Sequence, residues 1–167
     1  MLYEAPGAVT LFDPLLPADD REGFLGELDD VVAGRPVSIL TTIHWHRRDR
    51  ELLAKRYEHH TTPRAWNAVP PGVEQKPLRG AGETVYWLPA VAALVFGDRL
   101  LGDGQGGVRV CPESWLKHER VDRAGLAHLM RALLELSVER VLVSHGEPVL
   151  HDGRAALARA IGPPEAG

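Results

Sequence analysis

Three short apolar runs in the sequence each end in side chains that can bind a metal ion. They are SILTTIHWH, which ends in His44 and His46, AALVFGD, which ends in Asp98, and RVLVSHG, in which His145 follows the apolar residues. Short apolar runs rich in β-branched residues are typical of buried strands. Ligands in α/β proteins bind where strands end and loops begin. The three runs therefore favour an α/β fold with a candidate site at its strand ends.

The chain between these runs alternates between strand-like and helix-like patterns. The predicted strands span 9–12, 37–41, 83–89, 91–98 and 139–146. The predicted helices span 17–34, 49–57 and 123–136, with a last helix, capped by Asp152, to Ile161. Residues 58–82 are expected to be mostly loop with short strands, and the glycine-rich residues 99–121 to be irregular. This order predicts a single domain over 1–162, followed by a flexible tail over 163–167.

Composition excludes several classes of protein. The chain has 167 residues, a net charge of -4 and a pI near 6.0, so its charge gives no general reason to expect a nucleic acid or an anionic membrane as partner. The single cysteine, Cys111, rules out an intramolecular disulfide and a cysteine-rich metal cluster. We see no signal peptide and no apolar run long enough to span a membrane. A cytoplasmic protein with a small-molecule substrate is expected.

The residue types at the three strand ends suit a metal ion. His44 and His46 point the same way if their segment stays extended, because side chains alternate along a strand. Imidazoles and a carboxylate suit zinc, iron or manganese. Each residue also has a structural interpretation, since a strand-end histidine is usually a satisfied polar group and aspartate readily caps a turn. The joint appearance of all four residues is what points to a site.

The sequence resembles the metallo-β-lactamase fold superfamily of metal-dependent hydrolases. The resemblance is carried by VTLFDPLLP, by ILTTIHWHRRD at the position of the family's His-x-His-x-Asp-His loop, by ETVYWLPAVAALVFGDRLLG and by VERVLVSHGEPV. It covers most of the chain, and the last two segments are its most specific parts. The resemblance implies an αββα sandwich, shortened relative to the family.

The histidine loop departs from the family pattern. His44 and His46 match the first two metal ligands, but Arg48 stands where the family has aspartate, and Asp49 where it has the last histidine. The resemblance therefore implies a family metal loop with altered ligands, in which Asp49 is an extra oxygen ligand or the catalytic base.

Of the remaining ligand positions, two keep the family residue and one is changed. Asp98 matches the bridging aspartate and His145 the final histidine, whereas Arg79 stands in place of the histidine of the family's Gly-His turn. These departures make a full two-metal site doubtful. They imply one divalent ion, with zinc preferred and iron or manganese as alternatives, held by His44, His46, Asp98 and His145.

Further side chains are candidates for substrate binding. Arg48 and Arg79 could bind an anionic group in place of a lost cation, or could simply face solvent. Trp115 could line an apolar part of the substrate pocket or cover the core. His59 or His60 could replace a lost ligand, and the sequence leaves this open.

Two functions compete. The first is a hydrolase with a reduced, mononuclear site, in which activated water attacks an ester, a lactone or a phosphoester, and Asp49 and Asp98 take part in catalysis. The alternative is a non-catalytic relative that has lost its metal and acts as a binding protein. The shortened fold would expose a sheet edge that a second copy could cover, so a homodimer is also expected.

Overall fold

The computed structural model describes residues 1–5, 7–60 and 68–163, except for the side chain of His60. The chain forms two compact units, Met1–Val73 and Glu74–Gly167. The single domain over 1–162 stays a prediction, and residues 164–167 of the expected tail lie outside the described part. Among the described residues, no helix has the length and apolar character needed to cross a bilayer.

In its described residues, the first unit contains a three-stranded sheet and two α-helices. Its elements are β1 (Leu2–Ala5), β2 (Ala8–Phe12), α1 (Arg21–Val32), β3 (Val37–Leu40) and α2 (Arg50–Arg56), with short 3₁₀ turns at His44–Arg47 and Glu58–His60. The strand order is β1-β2-β3. Strand β1 was not predicted; it pairs antiparallel with β2, and Gly7 has the positive φ of 78° in the turn between them.

Helix α1 connects two parallel strands. β2 and β3 pair in parallel from Val9↔Val37 to Phe12↔Leu40, and a parallel connection needs a crossover such as a helix. The helix buries Leu25, Leu28 and Val32 in the core of this unit. The residues that follow β2 and β3 therefore emerge at the same edge of the sheet.

The second unit contains a four-stranded sheet, a hairpin and two α-helices. Its elements are β4 (Glu74–Leu78), β5 (Glu83–Leu88), β6 (Ala93–Val95), β7 (Leu100–Gly102), β8 (Val108–Val110), α3 (Arg123–Met130), β9 (Arg140–Leu142) and α4 (Gly153–Ile161). The sheet order is β4-β5-β6-β9, and only the β6–β9 pair is parallel. Both units mix strands and helices, which confirms the predicted α/β class.

The register of the parallel pair places two predicted site residues side by side. Val95 of β6 pairs with Leu142 of β9, and Asp98 and His145 each follow three residues later. The amide of Phe96 continues the ladder by donating to the carbonyl of Leu142 at 2.8 Å. The two strands therefore deliver a carboxylate and an imidazole to one edge of the sheet.

The prediction that residues 99–121 are irregular was wrong. Strands β7 and β8 form an antiparallel hairpin there, and a 3₁₀ turn spans Glu113–Leu116. The side chain of Asp103 closes the hairpin turn by accepting hydrogen bonds from the amides of Gln105 and Gly107. The many glycines of this turn obscured the short alternating pattern of Val108 and Val110 on either side of an exposed arginine.

Two helix predictions need smaller corrections. The helix predicted over 123–136 stays α-helical only to Met130 and then tightens into 3₁₀ turns over Arg131–Glu135. Asp152 precedes α4 as predicted, but its side chain makes no capping hydrogen bond, and its φ of 55° puts it in the left-handed region. Asp122 is the aspartate that does cap, since it accepts from the amide of Gly125 at 2.8 Å.

Candidate metal centre

Asp98 and His145 come together at the edge of the four-stranded sheet. The Nε2 atom of His145 lies 3.2 Å from Oδ1 of Asp98. The Asp98 side chain is buried, whereas about half of the His145 side chain is exposed. One face of the pair is therefore accessible from solvent.

The spacing of this pair fits two ligands of one ion. Zinc bonds to imidazole nitrogen and carboxylate oxygen are about 2.0–2.2 Å long, which puts tetrahedral ligand atoms roughly 3.4 Å apart. The observed 3.2 Å between Nε2 and Oδ1 is close to that value. The donor set, one imidazole and one carboxylate, also suits a borderline divalent cation.

A buried glutamate holds the turn that carries Asp98. The carboxylate of Glu83, at the start of β5, accepts from the amides of Gly97 at 3.0 Å, Asp98 at 2.8 Å and Arg99 at 2.9 Å. Burial raises the pKa of Glu83 to about 7, against the three amides and the Arg99 charge, which favour the carboxylate. The backbone of Asp98 is thus fixed by a side chain fifteen residues away.

The turn that carries His145 is fixed by close backbone packing. The amide of Gly102 donates to the carbonyl of His145 at 2.9 Å. A Cβ at position 102 would lie 2.6 Å from both the amide nitrogen and the carbonyl oxygen of Glu147. Only glycine fits this approach, because backbone atoms cannot yield as a flexible side chain can.

We expect Gly102→Ala to displace the His145 turn and to lower the free energy of unfolding by about 1–3 kcal/mol, as overpacking in a rigid interior does. Chemical denaturation measures the loss. The matched control is Gly26→Ala in α1, where the added Cβ meets nothing within 4 Å, and a gain of about 0.5–1 kcal/mol is expected. Equal effects of the two substitutions would contradict the close packing.

His46 is the buried member of the histidine pair in the first unit. Its Nδ1 lies 3.0 Å from Oδ2 of Asp13, at the end of β2. Asp13 also accepts from the amide of Thr42 at 2.8 Å and from the Thr42 hydroxyl. A carboxylate on Nδ1 fixes the ring and makes Nε2 the nitrogen for a metal, an arrangement common among metal-bound histidines.

Asp13 was not among the predicted site residues. It lies in VTLFDPLLP, one of the segments that carry the family resemblance, and was given no role there. Its φ of 45° and its burial mark a residue held in place by its surroundings. The available signal was the parallel strand pair, because the ends of β2 and β3 have to meet at one edge.

We expect Asp13→Asn to lower the metal affinity about 10–100-fold, as loss of a carboxylate behind a metal-bound histidine does. The asparagine keeps an oxygen for the amide of Thr42, but its amide cannot accept the proton of His46 Nδ1. Competition titration with a chromogenic chelator measures the affinity. Asp19→Asn, on the exposed segment before α1, is the control and should leave it unchanged. Unchanged affinity in Asp13→Asn would mean that the Asp13–His46 pair is only structural.

His44 and His46 do not point the same way. The segment His44–Arg47 is a 3₁₀ turn, so the condition of an extended strand is not met. His44 is exposed and makes an edge-to-face contact with Trp45, with ring centroids 4.6 Å apart. Arg48 is also exposed, with a φ of 40°. Their roles as ligand and anion-binding group stay predictions.

Asp49 has structural contacts within the first unit. Its Oδ2 accepts from the amide of Leu16 at 2.8 Å, and its Oδ1 pairs with the guanidinium of Arg21 at 2.6 Å. These contacts tie the start of α2 to the loop before α1. The proposed role of Asp49 as base or oxygen ligand stays a prediction beside this structural one.

The remaining candidates differ in their surroundings. Trp115 lies beside His145, with ring centroids 6.4 Å apart and an interplanar angle of 78°. Arg79 is exposed in the turn between β4 and β5. His59 is exposed and lies 3.6 Å from a carboxylate oxygen of Glu58, whereas the side chain of His60 lies outside the described part.

Comparison by sequence gives no relative: no family model matches the chain, and no curated protein matches it significantly. Comparison of structures finds proteins of similar fold. DIM-1 metallo-β-lactamase matches with a TM-score of 0.60 and 15% identity, over 95% of this chain and 86% of that one. A metallo-β-lactamase from Erythrobacter litoralis, solved with β-mercaptoethanol in its active site, matches with a TM-score of 0.62 and 14% identity, over 96% and 82%.

An NDM_FIM-1-like metallo-β-lactamase from Erythrobacter litoralis, solved in its mono-zinc form, matches with a TM-score of 0.61 and 16% identity, over 96% of this chain and 80% of that one. At identities this low, the structural matches establish the fold alone. The matches cover residues of both compact units, and they agree with the resemblance found in the sequence. The chain has the metallo-β-lactamase fold.

Proposed function

We propose that the protein is a metal-dependent hydrolase with a reduced, mononuclear site, acting on an ester, a lactone or a phosphoester. The observation that carries the proposal is the Asp98–His145 pair, which the register of β6 and β9 delivers to one edge of the sheet at ligand spacing. Two donors alone hold an ion weakly, so the proposal needs further ligands.

We assign one further ligand to the histidine loop. His46 would contribute Nε2, because Asp13 holds Nδ1. The resemblance to the family supports this assignment, since His46 stands at a family ligand position. The ligand role of His44, which is exposed and does not point the same way as His46, stays a prediction. A matched metallo-β-lactamase solved in a mono-zinc form supports the idea that one ion can occupy this fold.

The proposed roles follow from the chemistry of each side chain. When bound, a divalent ion supplies Lewis acidity to water and to the substrate. Asp98 and His145 would hold and orient that ion, and Asp49 would accept a proton from water. Arg48 and Arg79 attract an anionic or oxyanion group of the substrate. The two arginines would thus replace part of the positive charge that a second ion would provide.

Reconstitution with single metals tests the proposal. Protein freed of metal by a chelator is loaded with Zn²⁺, Mn²⁺ or Fe²⁺ and assayed on a p-nitrophenyl ester, a γ-lactone and bis-p-nitrophenyl phosphate. We expect turnover of one substrate class that rises with metal up to one equivalent and disappears in Asp98→Asn. A protein that takes up no metal and turns over no substrate class would favour the binding protein over the hydrolase.

A further inference from the structure

Arg99, the residue after Asp98, is fully buried in the second unit. Its guanidinium donates through Nε to the carbonyl of Ala81 at 2.7 Å and through Nη1 to the carbonyl of Trp115 at 3.0 Å. Its Nη2 forms an ion pair with Glu119. One side chain thus contacts two backbone carbonyls and a carboxylate in two separate segments, the turn at Ala81 and the stretch from Trp115 to Glu119.

The backbone of Arg99 belongs to the turn that presents Asp98. Its amide donates to Oε2 of Glu83 at 2.9 Å, the oxygen that also accepts from the amide of Asp98 at 2.8 Å. Its carbonyl accepts from the amide of Cys111 at 3.1 Å. The backbone of Arg99 is therefore fixed with the Asp98 turn, while its side chain is fixed to the segment around Trp115.

Trp115 lies beside one of the candidate ligands, His145. Its indole contacts the ring of His145 edge to face, and 43% of the residue is exposed. Trp115 lies in the short 3₁₀ turn Glu113–Leu116. The hydrogen bond from the Arg99 guanidinium to the Trp115 carbonyl fixes the backbone of this turn, from which the ring projects.

Core packing alone does not explain an arginine at this position. Burying a guanidinium costs free energy, and an apolar residue of similar volume would fill the space at least as well. A lysine would keep the charge, but it lacks the planar fork that reaches two carbonyls and a carboxylate together. The particular geometry of arginine is used here.

We propose that Arg99 is a positioning residue that fixes Trp115 as a wall of the pocket beside Asp98 and His145, and so couples metal binding to the shape of that pocket. The pocket role rests on the proposed function. The geometry of Arg99 with Glu83, Trp115 and Glu119 lies within one compact unit and is tested independently of activity.

The test compares Arg99→Lys with wild type and with Arg109→Lys, a change of the same type at an exposed position on β8. Acrylamide quenching of tryptophan fluorescence, with the contribution of Trp115 found by difference from Trp115→Phe, reports the exposure of the indole in metal-free protein. Titration with Zn²⁺ reports the affinity and the change in Trp115 emission that accompanies binding.

We expect Arg99→Lys to increase quenching of Trp115, to weaken Zn²⁺ binding about 10-fold and to reduce the zinc-induced emission change. Arg109→Lys should alter none of the three. Folded Arg99→Lys with wild-type quenching of Trp115 would overturn the inference. If wild type binds no Zn²⁺, the proposed function fails, and quenching alone then decides the role of Arg99. If Arg99→Lys does not fold, Glu119→Gln, which removes only the ion pair, takes its place with the same expected direction.

Discussion

His145→Ala is expected to abolish metal-dependent turnover and to lower the metal affinity beyond the roughly 10–100-fold loss typical of changes behind the ligands. The substitution removes one of the two donors that the β6–β9 register brings to 3.2 Å. Because half of the His145 side chain is exposed, the free energy of unfolding should change by less than about 1 kcal/mol. Metal content, turnover and thermal denaturation measure the three effects.

The control for this substitution is His118→Ala, an exposed histidine in the same unit. It should leave metal content and turnover unchanged. A His145→Ala protein that keeps wild-type metal content would show that His145 is not a ligand. A lower melting temperature with unchanged metal content would give it a structural role.

Glu83→Ala should lower the free energy of unfolding by at least about 3 kcal/mol. The three buried amides of Gly97, Asp98 and Arg99 would lose their acceptor, and each unsatisfied buried donor costs about 1–3 kcal/mol. The Asp98 turn would also lose the contacts that fix it, so metal affinity should fall with stability. Chemical denaturation and zinc titration measure the two losses.

Two further variants distinguish the loss of these hydrogen bonds from the loss of a negative charge elsewhere in the unit. Glu83→Gln keeps one acceptor oxygen and should lose less stability than Glu83→Ala. Glu135→Ala removes an exposed carboxylate from the same unit and should change stability by less than about 0.5 kcal/mol. A Glu83→Ala protein as stable as Glu135→Ala would contradict the role assigned to Glu83.

The Asp98–His145 pair could be predicted from the sequence for a simple reason. Each residue follows a short apolar strand, and parallel neighbouring strands place equivalent positions at the same edge. Most strands and helices were predictable from the spacing of their apolar residues and from the glycines and prolines at their ends. The hairpin formed by β7 and β8 was not, because its strands are three residues long and its turn is closed by the side chain of Asp103.

The residues that fix the site could not be predicted in this way. Glu83 and Asp13 act through hydrogen bonds to segments about 15 and 30 residues distant, and no local pattern records such partners. The relation between His44 and His46 depended on backbone conformation, and a 3₁₀ turn replaced the extended segment. Sequence thus indicated which donors exist, and three-dimensional contacts determine which of them are held in place.

Metal content per chain tests the central claim most directly. The protein is purified without affinity-tag metals, dialysed with and without a chelator, and analysed by elemental mass spectrometry alongside Asp98→Asn and His145→Ala. A mononuclear site predicts about one zinc, iron or manganese ion per chain in the wild type, removed by the chelator and absent from both variants. No metal in the wild type, and no uptake when Zn²⁺, Mn²⁺ or Fe²⁺ is added, would contradict the metal-dependent hydrolase.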